Sequence, residues 1–139
     1  MKTPIYWLKA KEYLSEKDKK LSRIIKTYEG FLSTRNDPFY SLCKSIVGQQ
    51  ISVQAANSVW NKLSDKCKTV SPENVNRLQR TDLLKCGLSR QKVEYIKVLS
   101  KNFLNKSFSV SKLKKLNDED AIKYLCTNKG IGVWTAEMF

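Results

Sequence analysis

All three prolines of this 139-residue chain follow a residue type that caps helices, in Thr3-Pro4, Asp37-Pro38 and Ser71-Pro72. A side-chain oxygen at the cap accepts from a free N–H of the first turn, and proline's missing N–H falls where a helix has no partner for it. Each pair therefore predicts a helix start. Ser52, Ser89 and Asn117 supply further caps ahead of apolar residues spaced three and four apart, and no stretch alternates with the period of two that a half-buried strand needs. The chain is expected to be all-α, a helical bundle in one domain, 1–139.

The pattern predicts a helix from Pro4 to about Leu14, then one from Lys19 to about Tyr28 with Leu21, Ile24, Ile25 and Tyr28 on one face. A buried helix should follow from Pro38 to Gly48, carrying Phe39, Leu42, Cys43, Ile46 and Val47. The helix capped by Ser52 presents a stripe of Val53, Ala56, Val59, Trp60 and Leu63, with Asn57, Asn61 and Lys62 outward. Short helices are expected from Pro72 through Leu78 and from Thr81 to a stop at Gly87. Ser89 caps a longer helix, Arg90 to about Leu104, with Val93, Ile96, Leu99 and Phe103 inward and Arg90, Lys92, Lys97 and Lys101 outside. Asn117, with Asp120 three residues on, opens a helix whose apolar face is Ala121, Ile122, Leu125 and Cys126. Lys129-Gly130-Ile131-Gly132 then makes a tight turn into a last helical segment, Val133 to Phe139.

Composition narrows the chemistry. Lys plus Arg outnumber Asp plus Glu by 26 to 13, a net charge of +13. Such an excess attracts polyanions, commonly nucleic acid or anionic membrane, although a solvated lysine-rich surface gives the same count. No run approaches the ~20 apolar residues of a spanning helix, and the start lacks the apolar core of a signal peptide. A soluble, intracellular protein is expected. Cys43, Cys67, Cys86 and Cys126 show no C-x-x-C spacing and read as reduced core or helix-face thiols. Histidine is absent, which removes the usual general base, Ser-His triads and most zinc chemistry.

In Gly130-Ile131-Gly132 each glycine permits positive φ or close approach of another chain, and the N–H groups beyond it can hold a phosphate oxygen. Ile131 would lock the turn by tucking between the helices. A plain helix–helix turn with a glycine cap has the same three residues. The longer stretch Leu125-Cys-Thr-Asn-Lys-Gly-Ile-Gly-Val-Trp-Thr-Ala-Glu-Met-Phe139 resembles the hairpin of the helix-hairpin-helix DNA glycosylases. Asp37-Pro38-Phe39 with Ser45-Ile-Val-Gly-Gln-Gln-Ile-Ser52 and Ala55-Ala56 resembles the segment of the 3-methyladenine branch that approaches the minor groove. Gly87 to Ile96 is similar to that family's connecting helix, and Tyr6-Trp7-Leu-Lys-Ala10 to the start of its short bacterial members.

The resemblance implies a bundle of the helix-hairpin-helix glycosylase type, with a core glycosylase region at 34–139 and the hairpin motif at 118–139. It implies base-excision repair, with a monofunctional N-glycosylase releasing alkylated bases such as 3-methyladenine from duplex DNA by base flipping. Lys129, Gly130, Ile131, Gly132 and Thr135 would grip the backbone of the damaged strand. Gln49, Gln50 and Ile51 fall at the turn that fills the gap left by a flipped base; a solvated helix end is the alternative. Trp134 matches an aromatic of the base pocket, where strand-cleaving relatives carry a lysine nucleophile, and tryptophan forms no Schiff base. An indole face suits a cationic methylated purine; the other reading of Trp134 is a buried structural residue.

The family's catalytic Asp follows the hairpin and would lie beyond Phe139, so no residue of this chain is assigned a catalytic role. Asp118, Glu119 and Asp120 precede the hairpin and read as N-terminal helix acids, and Glu137 does not match the position. The expectation is a bundle incomplete at its C-terminus and inactive by itself, so the alternative is a noncatalytic DNA-binding remnant. A basic RNA-binding or ribosome-associated protein would account for the charge but not for the two motifs. No metal or cofactor is expected beyond a monovalent cation on hairpin carbonyls. The expected partner is double-stranded DNA with alkylated bases, met by a monomer in the bacterial cytoplasm at the nucleoid, with no membrane.

Overall fold

The computed structural model describes residues 3–34 and 36–139, and among these the regular structure is helical. Two compact units divide the chain, Met1–Asn36 and Asp37–Phe139.

The first unit is a helical hairpin of α1 (Trp7–Lys17) and α2 (Lys19–Thr27). The helix expected from Pro4 starts three residues later. Trp7 N–H donates to the Pro4 carbonyl at 3.0 Å, so Pro4 opens a turn and Tyr6 stands at the cap without a side-chain bond. At the other end α1 runs on to Lys17, where extended Asp18 stops it and caps α2 by accepting from Lys20 and Leu21 N–H. Of the expected face, Ile24, Ile25 and Tyr28 line an apolar concavity with Trp7 while Leu21 is exposed outside it, and neither helix buries a residue.

The second unit holds α3 (Pro38–Gly48), α4 (Val53–Cys67), α5 (Pro72–Arg77), α6 (Arg80–Lys85), α7 (Arg90–Leu104), α8 (Val110–Leu113), α9 (Asp118–Cys126) and α10 (Val133–Glu137). Asp37, Ser52, Ser71, Ser89 and Asn117 each accept from an N–H of the first turn, as their positions in the sequence imply. α6 starts one residue before Thr81, after Gln79, whose N–H donates to Asp82 Oδ2 at 3.2 Å. The single turn α8, capped by Ser109, was not foreseen; four residues are too few to show a period.

α7 is the central strut, packed on α3, α5 and α6, while α4 lies on α3 and α10 on α9. Leu42, Cys43, Ile46 and Val47 of α3 meet Val93, Ile96 and Leu99 of α7 in a core that excludes water. At ~25 cal/mol per Å² this burial is the main stabilising force. Val53 is the exception to the expected α4 stripe: at the first turn, with no element over it, it is exposed. A file of aromatic rings ties α9 to this core, with Phe39 edge-on to Phe103, Phe103 against Phe108, and Phe108 stacked on Tyr124 at 5.1 Å. Buried Asn128 adds a polar tie, accepting from Asn102 Nδ2 at 2.9 Å and donating to the Leu125 carbonyl.

Lys92 and Lys97 do not lie outside as expected. Lys97 Nζ donates to the carbonyls of Asn76 and Leu78 at 2.7 and 2.8 Å, closing the end of α5, and Lys92 does the same for α3. A four-carbon stem lets an ammonium on a half-outward position reach the carbonyls a helix end leaves unpaired. The four cysteines are free thiols, three of them buried. No helix among the described residues is long and apolar enough to cross a membrane.

Candidate nucleic-acid interface

The turn after α3 and the turn before α10 meet. α3 ends at Gly48, Gln49 leaves it in an extended conformation, and Gln50 turns back with φ +55°. Across this gap Gln49 Nε2 donates to the Gly130 carbonyl at 2.7 Å, joining residues 81 positions apart. Gly130 itself has φ +87°, and an added Cβ would overlap the Tyr95 ring. Ile131 is buried in the core cluster, and its N–H donates to the Asn128 carbonyl. Gly132 is different: its backbone is extended and a Cβ there would meet nothing within 4 Å. Gly130 is thus demanded by the fold, whereas the open face at Gly132 is demanded by nothing inside the molecule.

Between the two turns lies an open cleft of about 1020 Å³, whose walls include Gln49, Gln50, Lys92, Gly130, Gly132 and Trp134. Its charged side chains are Lys44 and Lys92, and no carboxylate is among its lining residues. Lys44 Nζ sits 5.8 Å from the Trp60 ring and 6.0 Å from the Tyr40 ring, which hold it at the rim by cation–π attraction. Lys92 Nζ donates to the Val47 and Gln49 carbonyls at 2.8 and 2.7 Å, and burial holds its pKa below the ordinary lysine value.

The structure brings the expected contact residues together but gives them different surroundings. Trp134 is 73% exposed on the cleft wall, so here it is not a core tryptophan, and Lys129 is exposed beside the hairpin. Thr135 lines the cleft yet is only 6% exposed. Among Gln49, Gln50 and Ile51, Gln49 is half-buried and committed to Gly130, whereas Gln50 and Ile51 are exposed. Asp118, Glu119 and Asp120 occupy the first turn of α9, with Asp120 accepting from Asn117 and paired to Lys123. Neither they nor Glu137 line the cleft. No group of three or more His, Cys, Asp or Glu that could hold a metal occurs among the described residues.

Tyr95 and Lys44 were not foreseen as parts of the site. A glycine in a turn signals that something approaches it closely, but not which residue does.

Residues 43–132, more than half of the chain, match the family model described as HhH-GPD superfamily base excision DNA repair protein. A DNA-3-methyladenine glycosylase of Saccharomyces cerevisiae is 35% identical over 92% of this chain, and one of Bacillus subtilis is 34% identical over 72% of it. The aligned parts are 49% and 37% of those proteins, so the chain spans about half the length of the yeast relative or less of the bacterial one. Among solved structures, a 3-methyladenine DNA glycosylase of Schizosaccharomyces pombe in complex with abasic DNA superposes with a TM-score of 0.83 at 25% identity, covering 94% of this chain and 67% of that one. The DNA-3-methyladenine glycosidase of Bacillus halodurans gives 0.74 at 30% identity, covering 90% and 59%. The all-helical fold and these matches agree: the chain belongs to the HhH-GPD superfamily of base excision DNA repair proteins.

Proposed function

We propose that the chain works in base-excision repair as a monofunctional N-glycosylase that releases alkylated bases such as 3-methyladenine from duplex DNA. The observation that carries this reading is the meeting of the Gln49–Gln50 turn, the Gly130–Gly132 hairpin and exposed Trp134 on one basic cleft. Each part supplies one requirement of base flipping. Open backbone at Gly132 with Lys129 beside it accepts a phosphate, the exposed Gln50–Ile51 turn fills the space of the departed base, and the indole offers a face to it. Methylation at a ring nitrogen makes a purine cationic, and a desolvated cation over tryptophan gains on the order of 1–2 kcal/mol. The same charge weakens the glycosidic bond and reduces the need for a general acid, which suits a chain without histidine. With tryptophan rather than an amine at position 134, base release should leave the strand intact.

A monovalent cation could share the hairpin carbonyls, which are hard oxygen donors of the right kind. Those of Asn128 and Gly130 already accept hydrogen bonds from Ile131 N–H and Gln49 Nε2, so an ion would use their second lone pairs. On this reading the substrate is double-stranded DNA, handled by a monomer at the nucleoid of a bacterial cytoplasm.

A second reading, a noncatalytic module that binds damaged duplex, is favoured by the lack of a carboxylate among the cleft's lining residues. Incubation with methylated duplex separates the two. The first reading expects free 3-methyladenine and abasic sites that break only in alkali. The second expects salt-sensitive binding and no released base. Neither binding nor release would refute both.

A further inference from the structure

Four side chains, three on α7 and one on the turn after α3, form one connected network with the hairpin backbone at the cleft, and three of them have no place in the roles assigned above. α7 presents Gln91, Lys92 and Tyr95 on neighbouring turns. Gln91 Nε2 donates to the Tyr95 hydroxyl, and Tyr95 packs against Gly130 so closely that only glycine fits there. Lys92 Nζ holds the Val47 and Gln49 carbonyls at the end of α3. Gln49 closes the circuit by donating to the Gly130 carbonyl. Just beyond Gln49 sits Gln50, a non-glycine residue at φ +55°, a conformation that persists only where its neighbours over-determine it.

We infer that Gln49 and Lys92 are positioning residues: Lys92 fixes the backbone of the α3 turn, and the Gln49 amide sets the distance from that turn to the hairpin, so that Gln50 meets the base stack in register with the hairpin's grip on the strand. Gln49 is then a strut, and the wedge is Gln50 with Ile51. A half-buried amide with one of its two N–H donors held by the Gly130 carbonyl cannot enter the duplex without breaking a charge-free but well-made hydrogen bond of 2.7 Å. Lys92 is equally committed, since both carbonyls it serves would otherwise lie unpaired at a partly buried helix end.

The inference rests on the DNA-binding reading, and its test has one arm that needs no DNA. Amide hydrogen exchange on the whole chain compares wild type with Gln49→Met and Lys92→Met. The strut predicts exchange at Ile131, whose N–H donates to the Asn128 carbonyl, at least tenfold faster in Gln49→Met, with Ile96 and Leu99 of the α7 core unchanged. A loss of global stability alone would speed the core amides as well. The second arm uses a duplex with a tetrahydrofuran abasic analogue opposite 2-aminopurine. Gln49→Met should weaken affinity about tenfold yet give the full fluorescence change at saturation, while Gln50→Ala should lose that change. Unchanged hairpin exchange overturns the strut whatever the DNA result. A Gln49→Met chain that saturates without the fluorescence change makes Gln49 the wedge and overturns the assignment. A wild type that binds no duplex refutes the DNA reading and the register with it, whereas the exchange arm still reports on the strut.

Discussion

Gly130→Ala should be the most damaging single-methyl change in the second unit. The new Cβ would overlap Tyr95 Cδ2 and lie 2.6 Å from its Cγ and 3.0 Å from its Cβ. Because the clash involves the root of the Tyr95 side chain, turning the ring about its own axis does not relieve it, and either the hairpin or α7 must shift. Forcing extra volume into a packed site costs ~1–3 kcal/mol, and holding alanine at φ +87° adds about 1–2 kcal/mol. Stiffening of the unfolded chain returns roughly 0.4–1 kcal/mol. The net loss is about 2–4 kcal/mol, a large part of the ~5–15 kcal/mol that a domain possesses. Urea unfolding followed by tryptophan fluorescence should show the midpoint falling by about 1–2 M, with m near 1–3 kcal/mol/M. Pairing the change with Tyr95→Ala removes the overlap with the ring but leaves the 3.0 Å approach to the Cβ of residue 95 and the backbone strain, so the double variant should cost ~1–3 kcal/mol less than the sum of the singles. An unchanged midpoint, or strict additivity, would refute the claim that Gly130 is dictated by Tyr95.

Other expectations follow from single sites. Lys68 has φ +59° and ψ −51°, with Thr69 N–H donating to the Cys67 carbonyl at 2.6 Å, a strained three-residue turn, so Lys68→Gly should raise stability by about 0.5–1 kcal/mol in thermal melts. Burial pushes the Cys67 thiol up from 9.0 to about 11, with nearby Cys86 adding to the shift. Its contribution to stability is therefore complete below pH 9 and lost as the pH rises toward 11; a melting curve that falls no more steeply in wild type than in Cys67→Val over that window would count against it. Trp134→Ala removes an exposed ring, so melting should change within ~0.5 kcal/mol while discrimination for a cationic methylpurine over the unmodified base drops up to roughly tenfold.

The helices were legible because their signals are local. Asp37, Ser52, Ser71, Ser89 and Asn117 each act within one turn of their own backbone, and the apolar spacing of α3 and α7 needs no knowledge of a partner. Thr3-Pro4 carried the same signature, yet there the proline carbonyl closes a turn with Trp7 instead. Val53 satisfies the apolar spacing of α4, but periodicity identifies a face and not whether anything covers it. Lys92 and Lys97 show the same limit from the polar side. The carbonyls they serve lie on helices 43 and 21 or so residues upstream, and no pattern within α7 distinguishes a lysine that folds back from one that faces water. The motifs that make up the cleft could be read singly; that a glutamine of one holds the backbone of the other could not.

The central claim is that duplex DNA is held in this cleft with its phosphate at the open face of Gly132. Affinity for a duplex carrying one abasic analogue, measured across a salt series for wild type and Gly132→Asp, tests it most directly. A Cβ at Gly132 meets nothing, so the substitution should leave the fold intact. The account predicts binding weakened at least tenfold, about 1.4 kcal/mol, with the salt slope smaller by about one phosphate contact. Equal affinity at low salt, in a variant that melts like wild type, would contradict it.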